Sequence, residues 1–273
     1  MRHVDKDTFG PWAIVTGASS GIGKEFARQL AASGLNLILV ARRLPLLEVL
    51  GHQLEKEYGV RYRAVGVDLT EDAMLETIEA ATYDLDIGLL ISNAGAGNPG
   101  EFLTLERSAL LRIVQLNVIA HLDLAHHFGQ RLAQRGRGGV LLVSAMGAAQ
   151  GIPYMANDSG TKAFVLSLGE ALHVEFQKLG LQVSVLLPSP TDTPVLAEFG
   201  FDVGTMPMKP MSVEQCVDEG LAALGANRAT HITGRMFRIL DTLTPRSVMT
   251  RMNGKMLAKA IAGKHARAAR PSE

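Results

Sequence analysis

The chain has a single cysteine, Cys216, a single tryptophan and few aromatics overall, 5% of residues. One cysteine excludes an intrachain disulfide and argues against a thiolate metal cluster. Such a composition suits a reducing compartment. No excess of one charge exists either: 27 basic residues face 27 acidic ones. That balance offers no global pull toward nucleic acid. Long apolar runs are missing as well, none approaching the ~18 residues of a membrane span. Met1 to Pro11 carries Arg2, Asp5, Lys6 and Asp7 and lacks the apolar core of a signal peptide. We therefore expect a cytoplasmic protein. His121, His126 and His127 share one helical stretch, but not at i, i+4, so no metal site is expected.

What the chain does have is length and apolar content: 273 residues, 47% hydrophobic. Short apolar runs alternate with helical patterns. The runs are Trp12–Val15, Leu35–Val40, Tyr62–Val67, Ile87–Ser92, Gly139–Ser144 and Val183–Leu187. The helical patterns cover Pro45–Tyr58, Glu71–Ala80, Glu106–Gln134 and Ser159–Lys178, with two more near Val213–Leu224 and Thr242–Ala262. Near-continuous apolar strands are those covered by helices on both faces. Regular alternation implies a parallel sheet with right-handed crossovers. The expected fold is α/β, one doubly wound nucleotide-binding domain over residues 1–273 with about seven parallel strands. A loop over about 195–215 and a helical extension over about 240–273 complete it.

The first apolar run enters Thr16-Gly17-Ala18-Ser19-Ser20-Gly21-Ile22-Gly23, and a helix follows. Amide N–H groups at a helix N-terminus attract phosphate, and glycines let the backbone approach it. Within a βαβ unit this predicts a dinucleotide site built on Gly17, Ser19, Ser20, Gly21, Ile22 and Gly23. The spacing T-G-x-x-x-G-x-G resembles that of the short-chain dehydrogenase/reductase family. Further motifs follow in that family's order. They are Asp68-Leu69, Asn93-Ala94-Gly95, Asn117 in the long helix, Ser144 after the fifth strand, Lys162, and Pro188-Ser189-Pro190-Thr191-Asp192-Thr193. The resemblance covers about residues 10–195 and implies a Rossmann fold. It implies cofactor contacts at Asp68, Leu69, Asn93, Ala94, Gly95, Lys162, Pro188, Ser189, Thr191 and Thr193. It also implies catalytic roles for Ser144, Lys162 and Asn117, with oxidoreductase chemistry.

The second strand ends Val40-Ala41-Arg42-Arg43, without the acid that would bind ribose hydroxyls. Guanidinium groups fork onto phosphate and stay charged, so Arg42 and Arg43 predict NADP(H).

The chain departs from the family at one decisive place. Four residues before Lys162, where the family's proton-transferring tyrosine belongs, stands Asp158. A free Asp has a pKa near ~3.9 against ~10 for Tyr. The Lys162 ammonium one helical turn away is expected to favour the ionised, proton-less form. Four readings follow. The chain is a reductase whose proton comes from Ser144, from a water relayed by Asp158, or from Tyr154. It is a non-redox proton-transfer enzyme with Asp158 as base. It is a nucleotide-binding pseudoenzyme or regulatory subunit. Or Asp158 is an introduced substitution that disables an ordinary enzyme. Ser189 is a second departure, standing where the family usually has glycine; a negative φ would tolerate it.

The segment Phe199–Met211 carries Phe199, Phe201, Val203, Met206, Met208 and Met211, which suit an adaptable apolar pocket or a core-packing loop. The implied substrate is a small hydrophobic carbonyl or alcohol. The tail from Arg251 carries Lys255, Lys259, Lys264, Arg267 and Arg270, with Met252, Met256, Leu257 and Ile261 as an apolar stripe. A basic amphipathic helix of this kind can lie on a membrane surface, though a solvated helix or a subunit contact is commoner. By resemblance, the helices Glu106–Gln134 and Ser159–Lys178 would form a homodimer or homotetramer through Leu110, Leu111, Val114, Leu122 and Leu166. The pseudoenzyme reading calls for a heteromer with an active relative.

Overall fold

The computed structural model describes residues 3–199 and 209–268. Seven strands form one parallel sheet in the order β3-β2-β1-β4-β5-β6-β7. They are β1 Trp12–Thr16, β2 Asn36–Ala41, β3 Tyr62–Gly66, β4 Ile87–Ser92, β5 Gly138–Val143, β6 Leu181–Leu187 and β7 Thr230–Ile232. All residues of β1, β4 and β5 are buried, because helices cover both faces. On one face α2 Gly21–Ala32, α3 Leu44–Tyr58 and α9 Val213–Gly225 bury Phe26, Leu30, Leu47, Leu54, Val217 and Leu221. On the other, α4 Met74–Ala80, α6 Ala120–Arg135 and α7 Ala156–Gln177 bury Met74, Ile78, Leu124, Phe128, Leu132 and Val165.

Strand order reverses between β1 and β4, which pair in parallel with Ala13 opposite Leu89 and Val15 opposite Ile91. A crevice opens beyond the carboxyl ends of strands at such a reversal.

Several expectations need correcting. The predicted helix over Glu106–Gln134 is broken into α5 Arg107–Val114, a π turn over Gln115–Ile119, and α6. The extra residue of a π turn leaves no trace in apolar periodicity. This continuous 107–135 segment is also long and apolar enough on average to cross a membrane, although it contains no unbroken apolar run of that length. Here Ala120, Leu124, Ala125, Phe128 and Leu132 pack it on the sheet. The single helix expected at Thr242–Ala262 is two, α10 Arg235–Leu243 and α11 Arg246–Ala268. Pro245 explains the break, since the residue before proline avoids helical backbone; Thr244 is extended, at φ −99° and ψ 123°. Strand β7 has only three half-buried residues and carried no sequence signal. Two short helices, α1 Lys6–Phe9 and α8 Pro194–Glu198, complete the set. Leu166 packs inward on Ala148, Val185 and Leu187 rather than outward. Phe201, Val203, Met206, Met208 and Arg270 lie outside the described residues.

Candidate active site

The crevice has a volume of about 670 Å³. At one end stands the glycine-rich turn. Gly17 and Gly21 have φ of +68° and +53°, which side chains rarely tolerate. Gly23 faces Gly17 so closely that a methyl there would overlap the Gly17 carbonyl oxygen and sit 2.6 Å from Asn93 Nδ2. Ser20 caps α2 in extended backbone without a side-chain bond to the helix. The first-turn amides of α2 are thus left for a ligand, and the positive helix end favours an anion. The turn is pinned to β4. Asn93 Nδ2 donates to the Thr16 carbonyl (2.9 Å), and the Asn93 and Ala94 amides donate to Thr16 Oγ1 (2.9 and 3.0 Å). These residues fit a dinucleotide pyrophosphate.

Arg42 and Arg43 line the crevice at the end of β2. The Arg43 Nη2 donates to Ser19 Oγ (3.0 Å) and reaches Ser20 Oγ (3.5 Å). Asp68 and Leu69 line the same end. Sequence reading missed Arg112 of α5, which also lines it and pairs with Asp68 at 2.6 Å. Burial pushes the Asp68 carboxyl up, but the Thr70 amide and hydroxyl, Arg112 and Arg42 together hold it below the usual value. No periodicity could reveal this pair, because the partners are 44 positions apart. Changing Arg112 to leucine should weaken NADPH and NADH binding alike by about 2–5-fold, the size of an exposed ion pair. Unchanged dissociation constants would show that the pair does not organise this subsite.

At the other end Ser144, Asp158 and Lys162 line the crevice together with Gly95, Met155, Val195 and Phe199. The π turn places Asn117 beneath it, fully buried. The Asn117 Nδ2 donates to the Ala96 carbonyl (2.9 Å) and Thr161 Oγ1 (3.1 Å), and its Oδ1 accepts from the Ala96 amide (3.1 Å). Beside it, buried His121 bonds Ser92 Oγ (2.8 Å) and the Ala94 carbonyl (3.0 Å). The carbonyl can only accept, so Nε2 carries a proton. Burial, aided by Lys162, lowers its pKa to about 3. His121 therefore acts as a fixed strut under the Asn93-Ala94-Gly95 segment.

Asp158 reverses the sequence expectation. Its carboxyl is not pushed toward ionisation. Burial raises it to about 6, against the opposing pulls of the Asn98 amide and Lys162. At 5% exposure, lost hydration outweighs the attraction of one ammonium. Both carboxyl oxygens accept from the Asn98 amide, at 3.1 and 3.2 Å. Burial also lowers Lys162 to about 8, with Asp158 resisting. Lys162 Nζ donates to the Val143 carbonyl (3.1 Å), and Ser144 Oγ donates to the Lys162 carbonyl (2.7 Å).

Not every predicted residue reaches the crevice. Pro188 and Thr193 line it, but Ser189 and Thr191 are buried elsewhere. Ser189 bonds Thr233 Oγ1 through its amide (2.9 Å) and hydroxyl (3.1 Å), and Thr191 Oγ1 donates to the Ser189 carbonyl (2.8 Å). Serine is tolerated here because its φ is not positive. Tyr154 is not a lining residue; it sits at φ 65°, with its carbonyl accepting from Gly100. Among the described residues no cluster of His, Cys, Asp or Glu has metal-ligand geometry.

Comparison with known proteins agrees with this geometry. The short chain dehydrogenase family matches residues 11–202. A 7beta-hydroxysteroid dehydrogenase of Collinsella aerofaciens is 32% identical over 81% of this chain and 85% of that one. A solved 7beta-hydroxysteroid dehydrogenase superposes with a TM-score of 0.82, 27% identity and coverage of 91% and 98%. A short-chain dehydrogenase from Sphingobium yanoikuyae, solved in complex with NADPH, gives 0.76, 31% identity and coverage of 96% and 97%. With fold, motif order and relatives in agreement, the chain belongs to the short-chain dehydrogenase/reductase family.

Proposed function

We propose that the protein is an NADP(H)-dependent oxidoreductase acting on a hydrophobic carbonyl or alcohol, with Asp158 in the tyrosine's place as proton carrier. One observation carries the reading. Gly17–Gly23 with Arg42 and Arg43 occupy one end of the crevice whose other end holds Ser144, Asp158 and Lys162. Arg42 and Arg43 would hold the 2′-phosphate, with Ser19 and Ser20 beside Arg43. A nicotinamide bound there supplies or accepts the hydride. Ser144 turns its hydroxyl from the Lys162 carbonyl toward the substrate oxygen. Asp158, protonated below about pH 6, gives that oxygen its proton, directly or through one water. Lys162 stabilises the carboxylate left behind and would hold the nicotinamide ribose. The apolar wall of Met155, Val195 and Phe199 admits a body of steroid or acyl-chain character. The chain works as a single domain in the reducing cytoplasm, as a homodimer or homotetramer. The subunit contact uses exposed Leu111, Leu122, Phe164 and Val174.

A second reading has an observation of its own. In the structure the Asp158 carboxyl and the Ser144 hydroxyl are both satisfied by backbone, as they would be in a nucleotide-binding pseudoenzyme. One comparison separates the two. NADPH oxidation is followed with a panel of hydrophobic ketones for the natural chain and for Asp158→Tyr. Turnover by the natural chain supports the enzyme; turnover by the tyrosine variant alone establishes a silenced site.

Cofactor choice is tested by fluorescence titration. Replacing Arg42 and Arg43 together with alanine should weaken NADPH binding by about 10²-fold, as two charge-assisted contacts are lost, and leave NADH nearly unchanged. Equal affinities for NADPH and NADH in the natural chain would remove the argument.

A further inference from the structure

The neutral chain is electrically lopsided. Residues 235–273 hold nine of the 27 basic residues and only two acids, Asp241 and Glu273. The rest of the chain is correspondingly acidic. Such asymmetry is a sequence-level mark of an anionic partner.

The structure adds a surface to that charge. Met236, Ile239, Leu240 and Leu243 recur on α10 at i, i+3, i+4 and i+7, a single stripe. That stripe should be core, yet no residue of α10 is buried. The four side chains are 60%, 44%, 38% and 75% exposed. Val248 and Met252 at the start of α11 are exposed as well, at 43% and 58%. Arg235, Arg246, Arg251 and Lys255, all exposed, flank these residues along the chain. The stripe expected farther along the tail is in part buried: Leu257 is 2% exposed. The apolar face thus sits on α10, not in the distal tail.

We propose that this face docks the protein on an anionic lipid bilayer, with α10 lying in the interface and the basic rim against the headgroups. Charge chooses the occupant. A second copy of the chain would bring a like-charged rim against this one, whereas acidic phospholipids attract it within a Debye length of ~8 Å. Large apolar side chains beside a cationic rim are the composition of an interfacial helix. The base of α10 packs on the segment that follows β6, whose first residue, Pro188, lines the crevice. Gly234, which opens α10, packs beside Met211 and Ser189, and Met211 bridges to Thr191. α10 is tied down at its base. Glu219 accepts from Arg238 (2.8 Å), the Gly234 amide (3.0 Å) and His231 (3.0 Å). A hydrophobic substrate dissolved in the bilayer would be met at its surface.

The experiment is co-sedimentation of the full chain with vesicles of phosphatidylcholine, with and without 30% phosphatidylserine. Binding should rise at least about 10-fold with the anionic lipid and fall as salt screens the rim. Ile239→Glu with Leu243→Glu should abolish it while leaving NADPH affinity and the thermal midpoint unchanged, since neither residue lines the crevice. Arg246→Gln with Arg251→Gln should lower it without removing the apolar patch. Equal binding to neutral and anionic vesicles, or binding that survives the double glutamate change, overturns the proposal. So does a natural chain that ignores both vesicles but sediments as an oligomer that the glutamates dissociate. NADPH affinity is read separately, so failure here leaves the oxidoreductase reading standing.

Discussion

Replacing Asp158 with asparagine should lower carbonyl reduction by about 10²–10⁴-fold, the usual cost of removing a general acid. The fold should survive, because asparagine keeps an oxygen for the Asn98 amide. The thermal midpoint should even rise near neutral pH. The reason is linkage. A carboxyl whose folded-state pKa stands at about 6, above its ordinary 3.8, binds its proton more tightly when folded. That contribution is complete below the unfolded value and is lost as pH rises through about 6. At pH 7.5 the protein carries a buried carboxylate at a cost of about 3 kcal/mol, at roughly 1.4 kcal/mol per unit. Asparagine removes that cost, offset in part because Lys162 loses its counter-charge. At pH 4 the two proteins should have equal midpoints. Calorimetry at both pH values checks this. The same titration governs rate: reduction by the natural chain should decline above about pH 6, and the asparagine variant should lack that limb. A variant as active as the natural chain, or a flat profile through pH 6, would place the proton elsewhere.

The other large effect is expected at Gly23. An alanine there places a methyl against the Gly17 carbonyl and 2.6 Å from Asn93 Nδ2, both fixed backbone or hydrogen-bonded groups. Neither can move without opening the turn. Overpacking of this kind costs about 1–3 kcal/mol of stability. Each lost amide–phosphate bond costs another ~1.5–3 kcal/mol of binding, so NADPH affinity should fall by about 10²-fold or more. Titration and thermal melts, run on Gly23→Ala beside the natural chain, measure both. A variant that binds normally would mean that the pyrophosphate is held elsewhere. Gly34→Ala makes the contrasting control: its φ is positive, as that of Gly23 is not, but nothing lies near its absent side chain.

The chain order of strands and the glycine turn were legible because both are local. Apolar runs buried on two faces announce parallel strands, and Thr16–Gly23 announces itself by spacing. The apolar run Ile87–Ser92 coincides with β4. Arg42 and Arg43 follow from the same logic, being adjacent to a strand end. The motifs after β4, β5 and β6 were equally readable, yet sequence order did not say which side chains turn inward. Ser144 and Lys162 reach the crevice, whereas Ser189 and Thr191 are spent on Thr233 and each other.

What needed the tertiary structure shares one physical cause: it depends on surroundings assembled from distant segments. The π turn under Asn117 is a packing adjustment. Arg112 meets Asp68 only after β3 and α5 are brought together. The apolar face of α10 is seen as unpartnered only when everything else has been packed. Asp158 is the sharpest case. Read along the chain, its nearest charge is Lys162, and ionisation should follow. In the folded protein the same residue is almost wholly removed from water, and desolvation exceeds the pull of that lysine. The sequence alone determined which residue replaced the tyrosine. Burial alone decided that the replacement can keep a proton.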